Sequence, residues 1–110
     1  MGRFVKGDVV VVPFPFSNLS ASKRRPALVL VDLAGDDVIL CQITSQNVSD
    51  TMAVPIDAND ILGGSLNANS NIRPNRLFSA DEHIILYKVG KLKDDKMNEV
   101  TETIIDMFQS

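Results

Sequence analysis

Three short segments of the chain gather side chains that could hold an anion. Lys23-Arg24-Arg25-Pro26 puts three cations in a row ahead of an apolar run. A guanidinium grips a phosphate through two parallel N–H bonds, although a cationic row standing alone is more often a solvated surface. Thr44-Ser45-Gln46-Asn47 ends a hydrophobic run in four consecutive hydrogen-bonding side chains, a pattern that also caps strands for purely structural reasons. Asn71-Ile72-Arg73-Pro74-Asn75-Arg76 adds two arginines and two amides, groups suited to phosphates or to base edges. Each signal is weak by itself. Together they are what a compact anion site would draw on.

Other chemistries are poorly supplied. The chain has one cysteine, Cys41, and one histidine, His83, so it has no internal disulfide and these two alone build no metal site. Cys41 lies within an apolar run and reads as a buried, inert thiol. His83 follows Asp81-Glu82 and reads as a turn or surface residue, which leaves no Ser-His-Asp set. Gly63-Gly64 lacks the Lys-Ser/Thr of a phosphate loop and reads as a flexible turn.

The elements that must position these residues are mostly strands. Val9 to Val12 is a β-branched run that Pro13 and Pro15 should interrupt, and the polar stretch from Phe16 to Arg25 reads as an exposed loop. Ala27 to Asp32 and Val38 to Thr44 are further strands, joined through a Gly35-Asp36-Asp37 turn. Ala53 to Ile56 is a short strand, and residues 57–71 read as a second long loop. Pro74 makes Ile72 to Phe78 an edge or an irregular strand, and Ile84 to Lys88 is a strand. From Asp94 the period changes. Met97, Val100, Ile104, Met107 and Phe108 recur at helical steps, which predicts an amphipathic helix packed on the sheet through Met97, Val100, Ile104 and Phe108. The chain thus reads as one domain over residues 1–110: mainly β, a small barrel with a C-terminal helix.

Length and composition agree. At 110 residues, 45% hydrophobic and 23% charged, the chain suits one globular domain with a small core. No apolar run approaches the ~20 residues of a membrane helix, and the N-terminus lacks a signal-peptide core, so a cytoplasmic location is expected. The net charge is −3. Acids and bases balance over residues 1–80, so the excess belongs to the C-terminal segment, and bulk charge does not favour nucleic acid.

In order and spacing, three blocks resemble the PemK/MazF family of type II toxin–antitoxin systems. They are Lys6-Gly7-Asp8-Val9-Val10, Arg25-Pro26-Ala27-Leu28-Val29-Leu30 and Cys41-Gln42-Ile43-Thr44-Ser45-Gln46, followed by the C-terminal helix. The resemblance implies an SH3-like barrel, usually a homodimer, and a metal-independent endoribonuclease without cofactor. Such an enzyme cuts single-stranded RNA by attack of the ribose 2′-hydroxyl, which leaves 2′,3′-cyclic phosphate and 5′-hydroxyl ends and makes DNA inert. By position, Arg25 matches the family's catalytic arginine and Thr44 its phosphate-binding hydroxyl. Lys23, Arg24, Ser45, Gln46, Arg73, Asn75 and Arg76 are the implied RNA contacts. Some members carry Arg-x-Asp where this chain has Arg73-Pro74-Asn75, and an asparagine is no useful proton acceptor, so the weight moves onto Arg25. The loop Ser17 to Arg24 also departs from the Gly-Ser-Glu-Gln type common in the family. A cognate antitoxin with an acidic, disordered tail is the implied protein partner. The alternative reading, favoured by Asn75 and the negative charge, is an SH3-like binding module that kept the scaffold without the chemistry.

Overall fold

The run Val9–Val12 forms the centre of strand β1 (Asp8–Pro15), and all four valines are buried because apolar layers cover both faces of the sheet. The computed structural model describes residues 3–15 and 22–110. Strands β2 (Ser22–Asp32) and β3 (Asp37–Thr44) follow, with Gly35 at φ +81° in the turn between them. Such a backbone angle favours glycine. Then come β4 (Val54–Ile56), β5 (Ile61–Leu62), β6 (Ser70–Asp81), β7 (Tyr87–Leu92) and helix α1 (Asp94–Gln109). Within the described residues the strands make one antiparallel sheet in the order β4-β6-β3-β2-β1-β7-β5, curled into a half-barrel.

The curl defines an inner and an outer core. The inner core draws Val9, Leu28, Cys41, Ile43, Val54, Ile61, Ile72 and Leu92 from all seven strands, and Met97 and Val100 of α1 plug it. The outer core joins Val10, Val12, Ala27, Val29, Val38 and Leu40 under Phe4 and Ile85. Both are continuous because side chains alternate between faces at every step of a strand.

Several expectations need correcting. The prolines do not interrupt β1, which pairs with β2 as far as Pro15. The Val11 carbonyl turns away from β2 to accept from the Leu86 N–H at 2.9 Å, so by alternation Pro13 and Pro15 face that same outer side. Their missing N–H groups therefore cost the β1–β2 ladder nothing. Through this pairing Lys23, Arg24 and Arg25 lie on a strand, not in a loop, while the loop reading of residues 16–21 lies outside the described residues. Residues 57–71 are not simply a loop, for Asp57 caps a 3-10 turn at Ala58–Asp60 that leads into β5.

The strand expected at Ile84–Lys88 begins later, at Tyr87. Asp81 accepts from the His83 N–H at 2.8 Å and starts a 3-10 turn at Glu82–Ile84, after which Ile85 drops into the outer core. Around Pro74 the β3–β6 register jumps, pairing Cys41 with Leu77 but Gln42 with Arg73. Residues 74–76 leave the ladder there, so β6 is irregular as predicted; it lies between β3 and β4, but β4 pairs only with Ser70–Ile72, short of Pro74. The helix packs through Met97, Val100 and Ile104. Phe108, expected to join them, is 71% exposed; it lies a turn beyond Ile104, the last residue of α1 packed against the inner core. The helix acids Asp94, Asp95, Glu99, Glu102 and Asp106 face solvent, as predicted. Among the described residues no helix is long and apolar enough to cross a membrane.

Candidate functional site

Strand register decides which of the candidate residues share a surface. Ala27 pairs with Gln42 and Gln42 with Arg73, while Thr44 pairs with Asn71. Paired residues point the same way, and Arg25 lies two residues along β2 from Ala27. Arg25, Gln42, Thr44, Asn71 and Arg73 therefore belong to the outer face, opposite the inner-core residues Leu28, Cys41, Ile43 and Ile72.

At the mouth of the inner core, where Ile43, Leu66 and Val89 line it, a groove of about 600 Å³ opens between β2, β7 and the segment 65–68. Arg24, Arg25, Ser45, Tyr87 and Lys88 line it, and Ser65 to Ala68 form one wall. Arg25 is half-buried and Arg24 exposed. Lys88 is steered by Asp8, whose Oδ1 lies 3.2 Å from its Nζ; Asp8 is itself buried and accepts from the Val5 N–H at 3.0 Å. Tyr87 is 51% exposed, an aromatic face beside three cations. A second, more polar groove of about 570 Å³ shares Ser45 and Ser70 with the first and adds Asn47, Asn69, Asn71 and Lys96 together with the acids Asp57 and Asp60. Cationic side chains, amides and an exposed ring on one track are what a single-stranded nucleic acid uses for backbone contacts, edge contacts and stacking.

Thr44 turns away from this groove, whose lining passes from Ile43 to Ser45. It is buried, and its Oγ1 accepts from the Gln46 N–H at 3.2 Å, which leaves the hydroxyl proton to donate elsewhere. Gln46 is exposed, and its carbonyl accepts from Asn71 Nδ2 at 3.4 Å. Lys23 is an exposed residue of β2 outside the groove lining.

Arg73 and Asn75 belong to a second cluster. Arg73 Nη2 lies 3.1 Å from Asp50 Oδ2, with about a fifth of each side chain exposed. The Met52 N–H donates to Asp50 Oδ1 at 2.7 Å. That bond, with Arg73 and Asn75 behind it, holds the Asp50 carboxyl below the usual carboxylate range. Arg76 is exposed on the segment that leaves the ladder.

Cys41 is buried in the inner core, where desolvation pushes its thiol up to about 12. His83 lies on the surface, and its Nδ1 meets Asp81 Oδ1 at 2.6 Å. As a metal ligand, His83 was weighed from the sequence only with Cys41. The fold instead brings ligand atoms of Asp36, Asp81 and His83 within 4.8 Å of one another in a surface cluster, none of whose members lines the groove. Sequence reasoning also missed Tyr87, Lys88 and Asp50. Tyr87 is the chain's one tyrosine and sits next to a lysine, a pairing that could have drawn attention. Asp50 carried no local signal, since its partner is 23 residues away.

A curled antiparallel sheet, plugged by a terminal helix and bearing a cationic groove, defines the class of small barrel to which the known relatives also point. The family model of PemK-like, MazF-like toxins of type II toxin–antitoxin systems matches residues 5–108, and the chain belongs to that family. Among solved structures, the fold is similar to the MazE–MazF complex (Form-III) from Deinococcus radiodurans, with TM-score 0.77, 22% identity and 96% of each chain covered. It is similar also to an endoribonuclease in complex with its cognate antitoxin from Mycobacterial species, at TM-score 0.73 and 12% identity, covering 99% of this chain and 96% of that one. The Mycobacterium tuberculosis toxin MazF-mt6 gives TM-score 0.69 and 19% identity, with 91% of this chain and 96% of the other covered. No curated protein sequence matches the chain.

Proposed function

We propose that the protein is the toxin of a type II toxin–antitoxin pair and acts as a metal-independent endoribonuclease on single-stranded RNA in the cytoplasm. The observation that carries this reading is the groove itself, where Arg24, Arg25 and Lys88 stand with the exposed Tyr87 on a PemK/MazF-type barrel. The backbone of the RNA lies along the cations while a base stacks on Tyr87. The 2′-hydroxyl attacks the adjacent phosphorus and expels the 5′-oxygen of the next nucleotide, giving cyclic phosphate and 5′-hydroxyl ends. The scissile phosphate sits at the rim where the groove meets the outer face, because Arg25 lines the groove and shares by register the face of Thr44. Arg25 stabilises the charge that builds on the phosphorane, and Thr44 donates its hydroxyl proton to a phosphate oxygen from that outer face. Lys23, Arg24, Ser45, Gln46, Arg73, Asn75 and Arg76 make the remaining RNA contacts. An antitoxin with an acidic tail occupies the same cations and blocks RNA, and the toxin works as a homodimer; the MazE–MazF complexes among the structural relatives support the antitoxin partner.

The test is incubation of the purified protein with a long RNA in EDTA, with mapped ends, beside Arg25→Ala. Discrete cuts bearing cyclic phosphate are expected. Arg25→Ala should slow them on the order of 100- to 1,000-fold while leaving the fold intact. Equal rates in the two proteins overturn the role of Arg25. Absence of cutting by the folded wild type, with RNA still bound, favours the binding-module reading, which Asn75 in place of an acid supports.

A further inference from the structure

Arg73 is an arginine of the outer face held by an ion pair. Its guanidinium is held at 3.1 Å by Asp50, and its buried Nε has no hydrogen-bond partner among the described residues, so the ion pair is what fixes its plane. Asp50 is anchored in turn, because its other oxygen takes the Met52 N–H at 2.7 Å. The backbone beneath Arg73 is set by its pairing with Gln42, just before β6 leaves the ladder at Pro74. By register Arg73 lies on the face that carries Arg25 and Thr44, with the amides of Gln42 and Asn71 beside it. What Arg73 offers an RNA is the guanidinium N–H groups that Asp50 leaves unused.

We infer that Asp50 is a positioning residue for Arg73, locking its guanidinium as a directed hydrogen-bond donor to the RNA phosphate backbone. The inference rests on the ribonuclease reading. It gives the connection between β3 and β4 a task that none of the sequence blocks suggests: delivering from 23 residues away the carboxylate that Asn75 does not provide. Asn75 joins as a neutral supporter of that carboxylate. Fixed donors count for more than mobile ones, because a misplacement of about 1 Å at a reacting group can cost on the order of 100-fold in rate.

The experiment compares kcat and KM on a single-site RNA oligonucleotide for the wild type, Asp50→Ala, Asp50→Asn, Arg73→Ala and the double variant Asp50→Ala/Arg73→Ala, with Tm measured on each. Asp50→Ala should lower kcat/KM by on the order of 10- to 100-fold, and Asp50→Asn, which keeps one acceptor oxygen and the shape, should fall between it and the wild type. The decisive expectation is non-additivity: once Arg73 is alanine, removing the Asp50 carboxylate changes the rate no further. A wild-type rate in Asp50→Ala overturns the inference, as does an equal loss with and without Arg73. If Arg25→Ala abolishes cutting while Asp50→Ala does not, the ribonuclease reading stands and only the role of Asp50 falls. If the wild type leaves RNA intact, the ribonuclease reading fails and takes this one with it.

Discussion

Gly64 offers a sharp test of the groove, because its backbone presses directly on β7. A Cβ placed there would lie 1.7 Å from the Val89 carbonyl oxygen and 2.9 Å from its carbon. Carbon and oxygen settle near 3.3 Å, so Gly64→Ala demands a shift of about 1.6 Å. Strand β7 is held from the far side by β1, where Val9 pairs with Gly90, so the segment that follows Gly64 has to move. That segment, Ser65 to Ala68, is the wall of the groove. Overpacking of this kind costs about 1–3 kcal/mol, and each kcal/mol lowers Tm by roughly 4–8 °C in a domain near this size. Gly35→Ala is the control: Gly35 has φ +81° with nothing within 4 Å, and it sits at the opposite end of β2. Its left-handed backbone costs about 1–2 kcal/mol, a comparable loss without displacement of the groove. Binding is read by fluorescence anisotropy with an RNA whose 2′-hydroxyls are methylated, and stability by thermal melting. Both variants should melt early, and only Gly64→Ala should bind RNA more weakly. Wild-type affinity in Gly64→Ala would refute the 65–68 segment as a wall of the binding groove, and a wild-type Tm would refute the backbone contact itself.

Two further outcomes concern the groups outside the groove. Cys41, with its thiol pushed up to about 12 by burial, should not react with a disulfide reagent at pH 8 until the protein is unfolded, so rapid labelling of the native protein would contradict its place in the inner core. His83 should titrate above its ordinary value of about 6.5 because Asp81 bonds and attracts its charged form, and Asp81→Asn should return the midpoint toward that value in an NMR titration. Since the folded form holds the proton more tightly, the stabilising effect is fully present below the unfolded value and fades as pH rises through the folded one. An Asp81→Asn protein whose stability deficit grew from pH 6 to 8 would reverse this assignment.

Much of the fold was legible because the relevant signals are local. Val9–Val12, Ala27–Asp32 and Val38–Thr44 are β-prone runs, Gly35 marks the turn between the last two, and the step from two- to four-residue periodicity at Asp94 announces the helix. The errors arose where a distant partner overrode the local signal. Pro13 and Pro15 look like breaks until one knows which side of β1 carries a neighbour. Residues 23–25 look like a loop until Val12–Phe14 pair with them. Phe108 looks like core until the packed face of α1 ends at Ile104. The candidate site divides in the same way. Arg25, Thr44 and Ser45 were visible through their blocks, and register brings Arg25 and Thr44 to one face. Asp50 was not visible, because nothing around it in sequence distinguishes a carboxylate bound to an arginine from one in water.

Beyond Val11, the outer side of β1 meets no strand among the described residues. An unpaired edge of this sort ordinarily works as a template on which another chain can add itself, and runaway addition is how aggregates begin. Here the two positions whose N–H groups would point outward are Pro13 and Pro15, so this stretch presents carbonyls but no complementary donors. A recruited strand would find only half of its bonds. This rim of the half-barrel is therefore a poor template for lengthening the sheet, and a second molecule that docks there gains from the backbone only what its donors can give to the carbonyls.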